Sequence, residues 1–433
     1  MLASLLAAFR LPDLRKRILF VFGMFAVYVV GLHIPIPGID RSVMEKLIND
    51  VQAFGLLDLF TGGAFKRFTI FAMGITPYIN ASIIMQLLTI AIPELERLAK
   101  EGESGRKKIS QYTRYLTGIL AFVQAIGMDV MLNQIGAFTD VIGPNRVFMY
   151  LQIAITLTAG TAFLMWMGEQ ITDQGIGNGV SMVIFCGIMV SMPFQVGKLV
   201  ELFSAHTIHL GNVFMLVVLF VATVAAIVAI TQAQRKIPIQ HVKKIVGNKV
   251  YGGQSSFLPL RVNAAGVIPI IFAISILYFP STIAQFVNWD PLQQWTRWLS
   301  PSDPDLSRRT VAAGFYALMI IFFTYFYTAV TFNVPDVADN LKKWGSFIPG
   351  IRPGKPTEQY LDKVMTRITL AGAVFLSIIA LLQYWVPNIA GIPTGSFTLV
   401  GGTSLLIVVG VALETMQAIE AQLLMRHYEG FIK

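Results

Sequence analysis

Residues 213–230 read VFMLVVLFVATVAAIVAI, a run of eighteen residues without a charged side chain. A helix of about 20 mostly apolar residues is long enough to cross the hydrocarbon core of a bilayer. The run's one polar side chain is that of Thr223, whose hydroxyl can bond to the backbone of its own helix. This stretch therefore predicts a membrane-spanning helix, and the fold depends on how many similar runs accompany it.

Nine further apolar runs flank this one, five before it and four after it. The ten predicted spans are residues 18–32, 75–92, 116–131, 148–167, 180–192, 213–230, 264–279, 311–332, 368–386 and 399–419. The first and fifth are short for a full crossing, which indicates tilt, polar extensions or burial inside the bundle. The pattern predicts an all-α polytopic membrane protein.

The composition of the chain supports this class. Of its 433 residues, 55% are hydrophobic and only 13% are charged, whereas a soluble domain carries about 25% charged residues. Much of the surface is therefore expected to face lipid. The single cysteine, Cys186, excludes a disulfide framework and a cysteine-rich metal site.

The positions of lysine and arginine predict the orientation, because cytoplasmic loops are enriched in both. With the N-terminus in the cytoplasm and ten crossings, 24 of the 33 basic residues fall in cytoplasmic segments. Both termini are then cytoplasmic. The spans divide into two halves of five, residues 1–203 and 204–433, and an odd number per half makes the halves inverted in topology. This symmetry follows from the count, because the halves share no visible residue-level repeat.

The predicted spans contain almost no ionisable side chains. Asp129, Glu169 and Glu414 lie near span ends, where interfacial or packed carboxylates are common. His206 and His209 have a metal-ligand spacing without a third ligand near them, and residues 175–179, GIGNG, lack the spacing of a dinucleotide loop. We therefore expect no catalytic, cofactor-binding or metal-ligating residues and no enzymatic activity.

Two other functional classes fit a polytopic chain less well. A secondary transporter of small solutes is the main alternative, but transporters generally keep ionisable groups at mid-membrane depth for coupling. Such groups are scarce here. A membrane-embedded enzyme ranks third, because no catalytic cluster is visible.

Glycine and proline interrupt the apolar pattern at three places. Residues 58–67, DLFTGGAFKR, are too polar and glycine-rich to face lipid. They fit an external loop or a short, marginally stable helix folded back into the bundle, and we expect them to contribute little to the core. Pro269, inside the seventh predicted span, and residues 172–181, TDQGIGNGVS, fit either ordinary helix packing or hinges.

Several stretches of the chain resemble the SecY/Sec61 family of protein-conducting channels. They are residues 73–88 (MGITPYINASIIMQLL), 101–115 (EGESGRKKISQYTRY), 168–179 (GEQITDQGIGNG), 258–269 (LPLRVNAAGVIP), 338–343 (ADNLKK), 349–354 (PGIRPG) and 401–406 (GGTSLL). These stretches follow the family order from the second span to the tenth. The resemblance therefore covers nearly the whole chain.

The resemblance implies an hourglass pore that conducts unfolded preproteins and releases spans sideways into lipid. It places a constriction, here called the isoleucine ring, at Ile79, Ile83, Ile184, Ile271 and Ile407. It places a plug segment at residues 55–68, with Leu57, Phe60, Thr61, Gly62, Gly63 and Phe65 as its site residues. The implied lateral gate lies between the second and third spans on one side and the seventh and eighth on the other.

The resemblance also implies partners for the two long basic loops, residues 233–262 and 333–367. In the family these loops receive the SecA ATPase motor or the ribosome. The corresponding docking residues are Arg235, Lys236, Lys243, Lys244, Lys249 and Arg352. The expected assembly is a multi-pass channel in the plasma membrane with the small subunits SecE and SecG, secretory and membrane preproteins as its cargo, and no cofactor. Basic loops also arise from membrane topology alone, so their charge by itself does not show whether they bind a partner.

Overall fold

The structure is a computed structural model of the 433-residue chain. It describes residues 9, 11–40, 43–44, 58, 61–138, 146–241, 244–246, 249–251, 255–286, 290–299, 305–392 and 402–430.

Helices dominate the described part of the chain. They are α1 Pro12–Gly31, α2 Thr76–Ala91, α3 Pro93–Lys100, α4 Glu103–Gln134, α5 Arg146–Gln174, α6 Gly179–Ser204, α7 Leu210–Gln232, α8 Ile268–Phe286, α9 Asp290–Trp298, α10 Leu306–Thr331, α11 Val334–Lys343, α12 Lys355–Ala390 and α13 Thr403–Gly430. Ten of these have 16 residues or more, and each overlaps one predicted span. Seven described helices are individually long and apolar enough to cross a membrane.

The long helices extend beyond the apolar runs. α6 has 26 residues where the sequence predicted a short span, and α12 has 36. The added residues at the start of α12, 355–367, include five charged side chains, and those at the end of α6 include Lys198 and Glu201 among apolar residues. Helices of this length agree with spans that tilt or project past the bilayer. α2 ends at Ala91, and Pro93 opens α3 at an angle of 100° to it, because Ile92, the residue before the proline, is driven out of the helical region.

Two of the three predicted interruptions are helix ends. Pro269 does not break the seventh span; it lies in the first turn of α8, where its missing N–H costs nothing. Residues 172–181 form the corner between α5 and α6. There the Asn178 side chain caps α6 by accepting from the N–H groups of Val180 and Ser181, and a Cβ on Gly179 would overlap the carbonyl of Gly168. Glycine is needed here for close helix packing.

The basic loops contain strands, which the apolar pattern of the sequence does not predict. β1 Gln234–His241 is central in a three-stranded sheet, antiparallel to β4 Ser255–Arg261 on one side and to β5 Ser346–Phe347 on the other. β2 Lys244–Val246 and β3 Lys249–Tyr251 form a separate pair. Pro238 is tolerated in β1 because β5 pairs only with the end of that strand, at Gln240 and His241.

One large apolar cluster holds the bundle together. It takes buried side chains from α1, α2, α5, α6, α7, α8, α10, α12 and α13. A second cluster joins α4 and α5 to the segment between α1 and α2. The chain's two predicted halves therefore share one core, and the candidate site lies within it.

Candidate functional site

The structure brings all five residues of the isoleucine ring into the large apolar cluster. Ile83 of α2, Ile184 of α6 and Ile407 of α13 are buried members of it, with Ile407 only 1% exposed. Ile79 of α2 and Ile271 of α8 are partly buried and pack against it. Four helices thus contribute β-branched apolar side chains to one region.

Local backbone features place these isoleucines. Ile79 and Ile83 are one turn apart on the same face of α2. Ile271 lies in the first turn of α8, where its N–H donates to the carbonyl of Val267. Ile407 follows Gly402, whose φ of 141° only glycine adopts readily. Each side chain is therefore carried on a rigid helix close to a defined helix start.

The plug segment packs against this region through turns. Residues 61–75 are a series of turns, whereas Asp58, the one described residue between 45 and 60, is helical. The short helix considered for residues 58–67 therefore does not extend through residues 61–67. Ala64 is 0% exposed and belongs to the same cluster as the ring, while Phe65 belongs to the second cluster. The expectation that this segment contributes little to the core is wrong, because the side chains of Thr61, Ala64 and Phe65, on either side of its two glycines, are buried. Leu57 and Phe60 lie outside the described residues.

Gly62 shows how closely the plug segment approaches the channel wall. Its φ is 71°, and a Cβ built there would lie 3.1 Å from the carbonyl oxygen of Gly187 in α6 and 3.2 Å from Leu32 Cδ1. Gly63 also has a positive φ, but a Cβ there would meet nothing within 4 Å. The two glycines therefore differ in packing but share a left-handed backbone.

Polar contacts hold the plug segment in place at Thr61 and Asp58. The hydroxyl of Tyr28, a buried residue of α1, donates to the carbonyl oxygen of Thr61 at 3.0 Å. The Tyr28 ring stacks on Phe71 with centroids 5.7 Å apart. The N–H of Lys66 donates to Asp58 Oδ1 at 2.7 Å. Burial raises the pKa of the Asp58 carboxyl, and this hydrogen bond and the nearby cations oppose that rise.

Arg67 makes contacts at the C-terminal end of the plug segment. Its guanidinium carbon lies 4.9 Å from the ring centroid of Phe194 in α6, within the range of a cation–π contact. Arg67 Nη1 is 3.2 Å from Nε2 of His33, which follows α1. Neither Tyr28 nor Arg67 stands out in the sequence, because an aromatic residue in a span and a basic residue in a loop are individually common.

The predicted docking residues lie on the small sheet and the loop beside it. Arg235 and Lys236 are exposed on β1. Lys244 and Lys249 begin the paired strands β2 and β3, and Lys243 lies outside the described residues. Arg352 is exposed in a turn between Gly350 and Gly354.

The two basic loops form one folded unit. His241 of β1 pairs with Ser346 of β5, and Ser346 Oγ lies 2.8 Å from His241 Nδ1. Ile237 and Ile239 of β1 and Ile348 are buried in a third apolar cluster that includes residues of α12. The Arg352 carbonyl accepts a hydrogen bond from Thr357 Oγ1 at 2.8 Å. The backbone of the Arg352 turn is therefore fixed while its side chain faces outward.

The carboxylates near span ends have separate surroundings. Glu169 Oε1 accepts from Nε of Arg114 at 2.7 Å, which joins α5 to α4. Asp129 is fully buried in α4, and neither of its oxygens has a hydrogen-bond partner. Among the residues that the structure describes, no three His, Cys, Asp or Glu side chains are arranged to hold a metal ion.

A bundle of long apolar helices around one large apolar cluster, with an irregular segment packed into that cluster, defines a multi-pass membrane protein fold. A family model named SecY matches residues 69–416. The protein translocase subunit SecY of Streptomyces scabiei is 44% identical over 448 residues, covering 100% of both chains. That of Bacillus subtilis is 44% identical over 430 residues, covering 98% of both. The chain belongs to the SecY family.

Solved structures share this fold at low sequence identity. One described as a protein-conducting channel has a TM-score of 0.65 and 17% identity, and covers 94% of this chain and 92% of its own. Another, with a TM-score of 0.64, 18% identity and the same coverage, concerns the SecY plug domain, described as stabilising the closed state of the translocation channel and maintaining a membrane seal. Sec61 in a canine ribosome–channel complex has a TM-score of 0.59 and 15% identity, again with that coverage.

Proposed function

We propose that this chain is the central pore-forming subunit of a protein translocase, which conducts unfolded preproteins across the plasma membrane and releases transmembrane segments sideways into lipid. The observation that carries the proposal is the convergence of Ile79, Ile83, Ile184, Ile271 and Ile407 from four helices of a SecY-family chain. The plug segment packs into the same cluster through Ala64.

The chemistry of the ring suits a seal around a moving chain. Aliphatic side chains offer no hydrogen bonds or charges, so they can surround many different sequences without binding any of them tightly. A narrow apolar constriction also tends to dewet, which blocks ions when no polypeptide is present. The plug segment adds a second barrier that is held by packing and by a few polar contacts. Nothing in this mechanism requires catalysis by the chain itself, and the energy for translocation is supplied by a partner.

The lateral gate is assigned to the seam between the pair α2 and α4 on one side and the pair α8 and α10 on the other. α8 packs against α2, α4 and α10. Residues 1–203 and 204–433 are the two halves, related by inverted topology, and parting them along this seam would open the pore toward lipid. The membrane in this proposal is the plasma membrane. Both termini are cytoplasmic, because this orientation puts most basic residues on the cytoplasmic side.

The folded unit that carries Arg235, Lys236 and Arg352 is the docking site for a cytoplasmic partner. SecA and the ribosome are the two candidates, and SecE and SecG complete the membrane complex. Arginine and lysine there would contact carboxylates of the motor or phosphates of ribosomal RNA. Structures similar to this chain include Sec61 in a canine ribosome–channel complex and a yeast Ssh1 complex bound to the 80S ribosome.

Crosslinking to a stalled substrate tests the pore. A photo-crosslinking amino acid is placed singly at Ile83, Ile184 and Ile407, and a secretory chain is arrested during translocation. We expect adducts from all three positions and none from Ile153, which is equally buried but belongs to the second cluster. Adducts at Ile153 alone would contradict the assignment. Uptake of a small solute down an ion gradient by the purified chain would favour the transporter alternative.

A further inference from the structure

The helix α9 exposes an aromatic surface that the proposed pore, plug and docking unit do not use. α9, DPLQQWTRW, joins α8 to α10, the two spans on one side of the proposed gate. Trp295 is 71% exposed and Trp298 48% exposed. Two exposed tryptophans three residues apart, about one turn of a nine-residue helix, are unusual for a surface that meets only water.

One side of α9 is fixed to the channel, and this orients the exposed tryptophans. Leu299, which directly follows α9, packs against the large apolar cluster, and α9 packs against both α8 and α10. Trp295 and Leu299 are four residues apart and therefore lie on neighbouring positions of one helical face. The protein therefore covers the apolar side chain of Leu299 but leaves that of Trp295 exposed.

Trp298 is continuous with the lipid-facing surface of α10. The guanidinium carbon of Arg308 lies 5.6 Å from the Trp298 ring centroid. Val311, Phe315, Leu318 and Phe322 follow Arg308 at helical spacing along one face of α10, and all four are exposed apolar residues. Such a stripe on a membrane span faces hydrocarbon. Trp298 therefore lies at the N-terminal end of this row of exposed apolar side chains.

The chain also limits how far α9 can lie from the bilayer. Three residues separate α8 from α9, so their ends are no more than about 14 Å apart. Six residues separate the end of β4 from the start of α8, so in the proposed topology α8 crosses the membrane from the side of the sheet and α9 lies at the opposite membrane surface. Tryptophan is enriched at such surfaces because its ring is apolar and its N–H can bond to water or headgroups.

We infer that α9 is an interfacial lipid-binding helix, with Trp295 and Trp298 inserted at the boundary between phospholipid headgroups and acyl chains. It ties the connection between α8 and α10 to the leaflet opposite the docking sheet. The inference rests on the proposed membrane placement of these spans, but it does not depend on preprotein transport. The occupant of this surface is the phospholipid bilayer itself.

Quenching by brominated phospholipids tests this placement. The chain has six tryptophans, and a variant that keeps only Trp295, with phenylalanine at the other five positions, is reconstituted with its partner subunits in vesicles. Bromine is placed either near the headgroup or deep in the acyl chain. We expect shallow bromine to quench Trp295 roughly twofold or more better than deep bromine.

Two single-tryptophan controls calibrate the result. Trp344 is 74% exposed at the end of α11, on the docking side of the chain, and is expected to escape quenching by either lipid. Trp166, an exposed residue of α5, is expected to be quenched within the bilayer. Quenching of Trp295 no stronger than that of Trp344 would overturn the inference. So would quenching that appears only after the partner subunits are removed, because protein would then cover α9 in the complex.

A variant with a single substitution controls for misfolding of the variant that carries five substitutions. Trp295→Phe in the otherwise unchanged complex should lower the fraction of total emission that shallow bromine quenches, while preprotein translocation is retained. An unchanged fraction would contradict insertion of Trp295. Loss of lipid quenching at Trp166 as well would instead refute the membrane placement on which the proposed function also depends.

Discussion

At the scale of single residues, a few polar contacts hold the proposed plug segment in place. Tyr28 is 2% exposed, and its hydroxyl bonds to a backbone oxygen of Thr61 rather than to a replaceable side chain. Tyr28→Phe keeps the stacking on Phe71 and removes one buried hydrogen bond, worth about 1 kcal/mol. We expect the open fraction of the plug to rise about fivefold.

Thiol labelling measures this change. Cys186 is replaced by serine, Ala64 by cysteine, and the labelling rate of residue 64 by a membrane-impermeant maleimide reports plug opening. Tyr325→Phe is the matched control, because the Tyr325 hydroxyl also donates to a backbone oxygen at 3.0 Å, that of Thr366, outside the plug. Equal rates in the two variants would mean that Tyr28 does not hold the plug.

The ring yields a second prediction at this scale. Ile83→Asn or Ile407→Asn places an amide in the constriction, which hydrates an apolar gate and lowers its barrier to ions. We expect higher resting conductance in planar bilayers and acceptance of defective signal sequences, with translocation retained. Ile83→Val keeps an apolar β-branched side chain and should remain sealed. Unchanged conductance in both asparagine variants would show that these isoleucines serve only the core.

At the scale of elements, residues 61–68 of the proposed plug segment are a set of turns whose fit depends on glycine. Gly62→Ala and Gly63→Ala both force an alanine into the left-handed region, at about 1 kcal/mol each. Only Gly62→Ala also presses a methyl group against Gly187, an overpacking cost of about 1–3 kcal/mol. We expect Gly62→Ala to show the larger resting leak, measured as ion flux from proteoliposomes. A greater leak in Gly63→Ala would contradict the packing of the plug against α6.

The elements differ in how far the sequence predicts them. Spans such as α7 are predictable because lipid exposure requires an unbroken apolar run, and residues 213–230 lie wholly within that helix. Helix ends are less predictable, because polar extensions carry no hydropathy signal, as α4 shows by starting at Glu103. The sheet was missed although Ile237 and Ile239 alternate with polar neighbours on β1. A two-residue strand such as β5 has no sequence signal of its own.

The candidate site is predictable only in part for a similar reason. An isoleucine in a pore and an isoleucine in a core have the same local sequence pattern, so Ile79, Ile83 and their partners could be assigned only through the resemblance to the SecY family. The structure adds what neither source provides, namely that the plug contacts the same cluster through Ala64. The hydrogen bond from Tyr28 crosses 33 positions of the chain, and no local pattern encodes it.

At the scale of the whole molecule, the channel has to be coupled to a source of energy on one face. The pairing of β1 with β5 joins the two basic loops, and their shared apolar cluster includes Leu361 and Val364 of α12. A force applied to this unit is therefore transmitted directly to a membrane span. An exposed charge on the unit can contribute to partner binding without contributing to the fold.

Arg352 allows this separation to be tested. Its side chain is exposed, while the hydrogen bond from Thr357 to its carbonyl and the contacts of Ile351 with the cluster hold the turn. Arg352→Glu should therefore leave insertion, stability and pore conductance intact. It should lower partner-driven translocation about tenfold or more, because a reversed charge meets the same partner surface. Arg352→Lys should give a smaller defect, since lysine keeps the charge but loses the planar fork that grips two oxygens at once.

The measurement is translocation of one secretory substrate into reconstituted vesicles, with partner binding followed at two salt concentrations. Lys355→Glu is the matched control, because Lys355 is also exposed and lies only three residues further along the same loop. A general effect of net charge would impair both reversals equally and would diminish in high salt, since exposed charges are screened. A specific docking contact would impair Arg352→Glu far more than Lys355→Glu. Wild-type translocation by Arg352→Glu would mean that the positive charge of this loop serves topology alone.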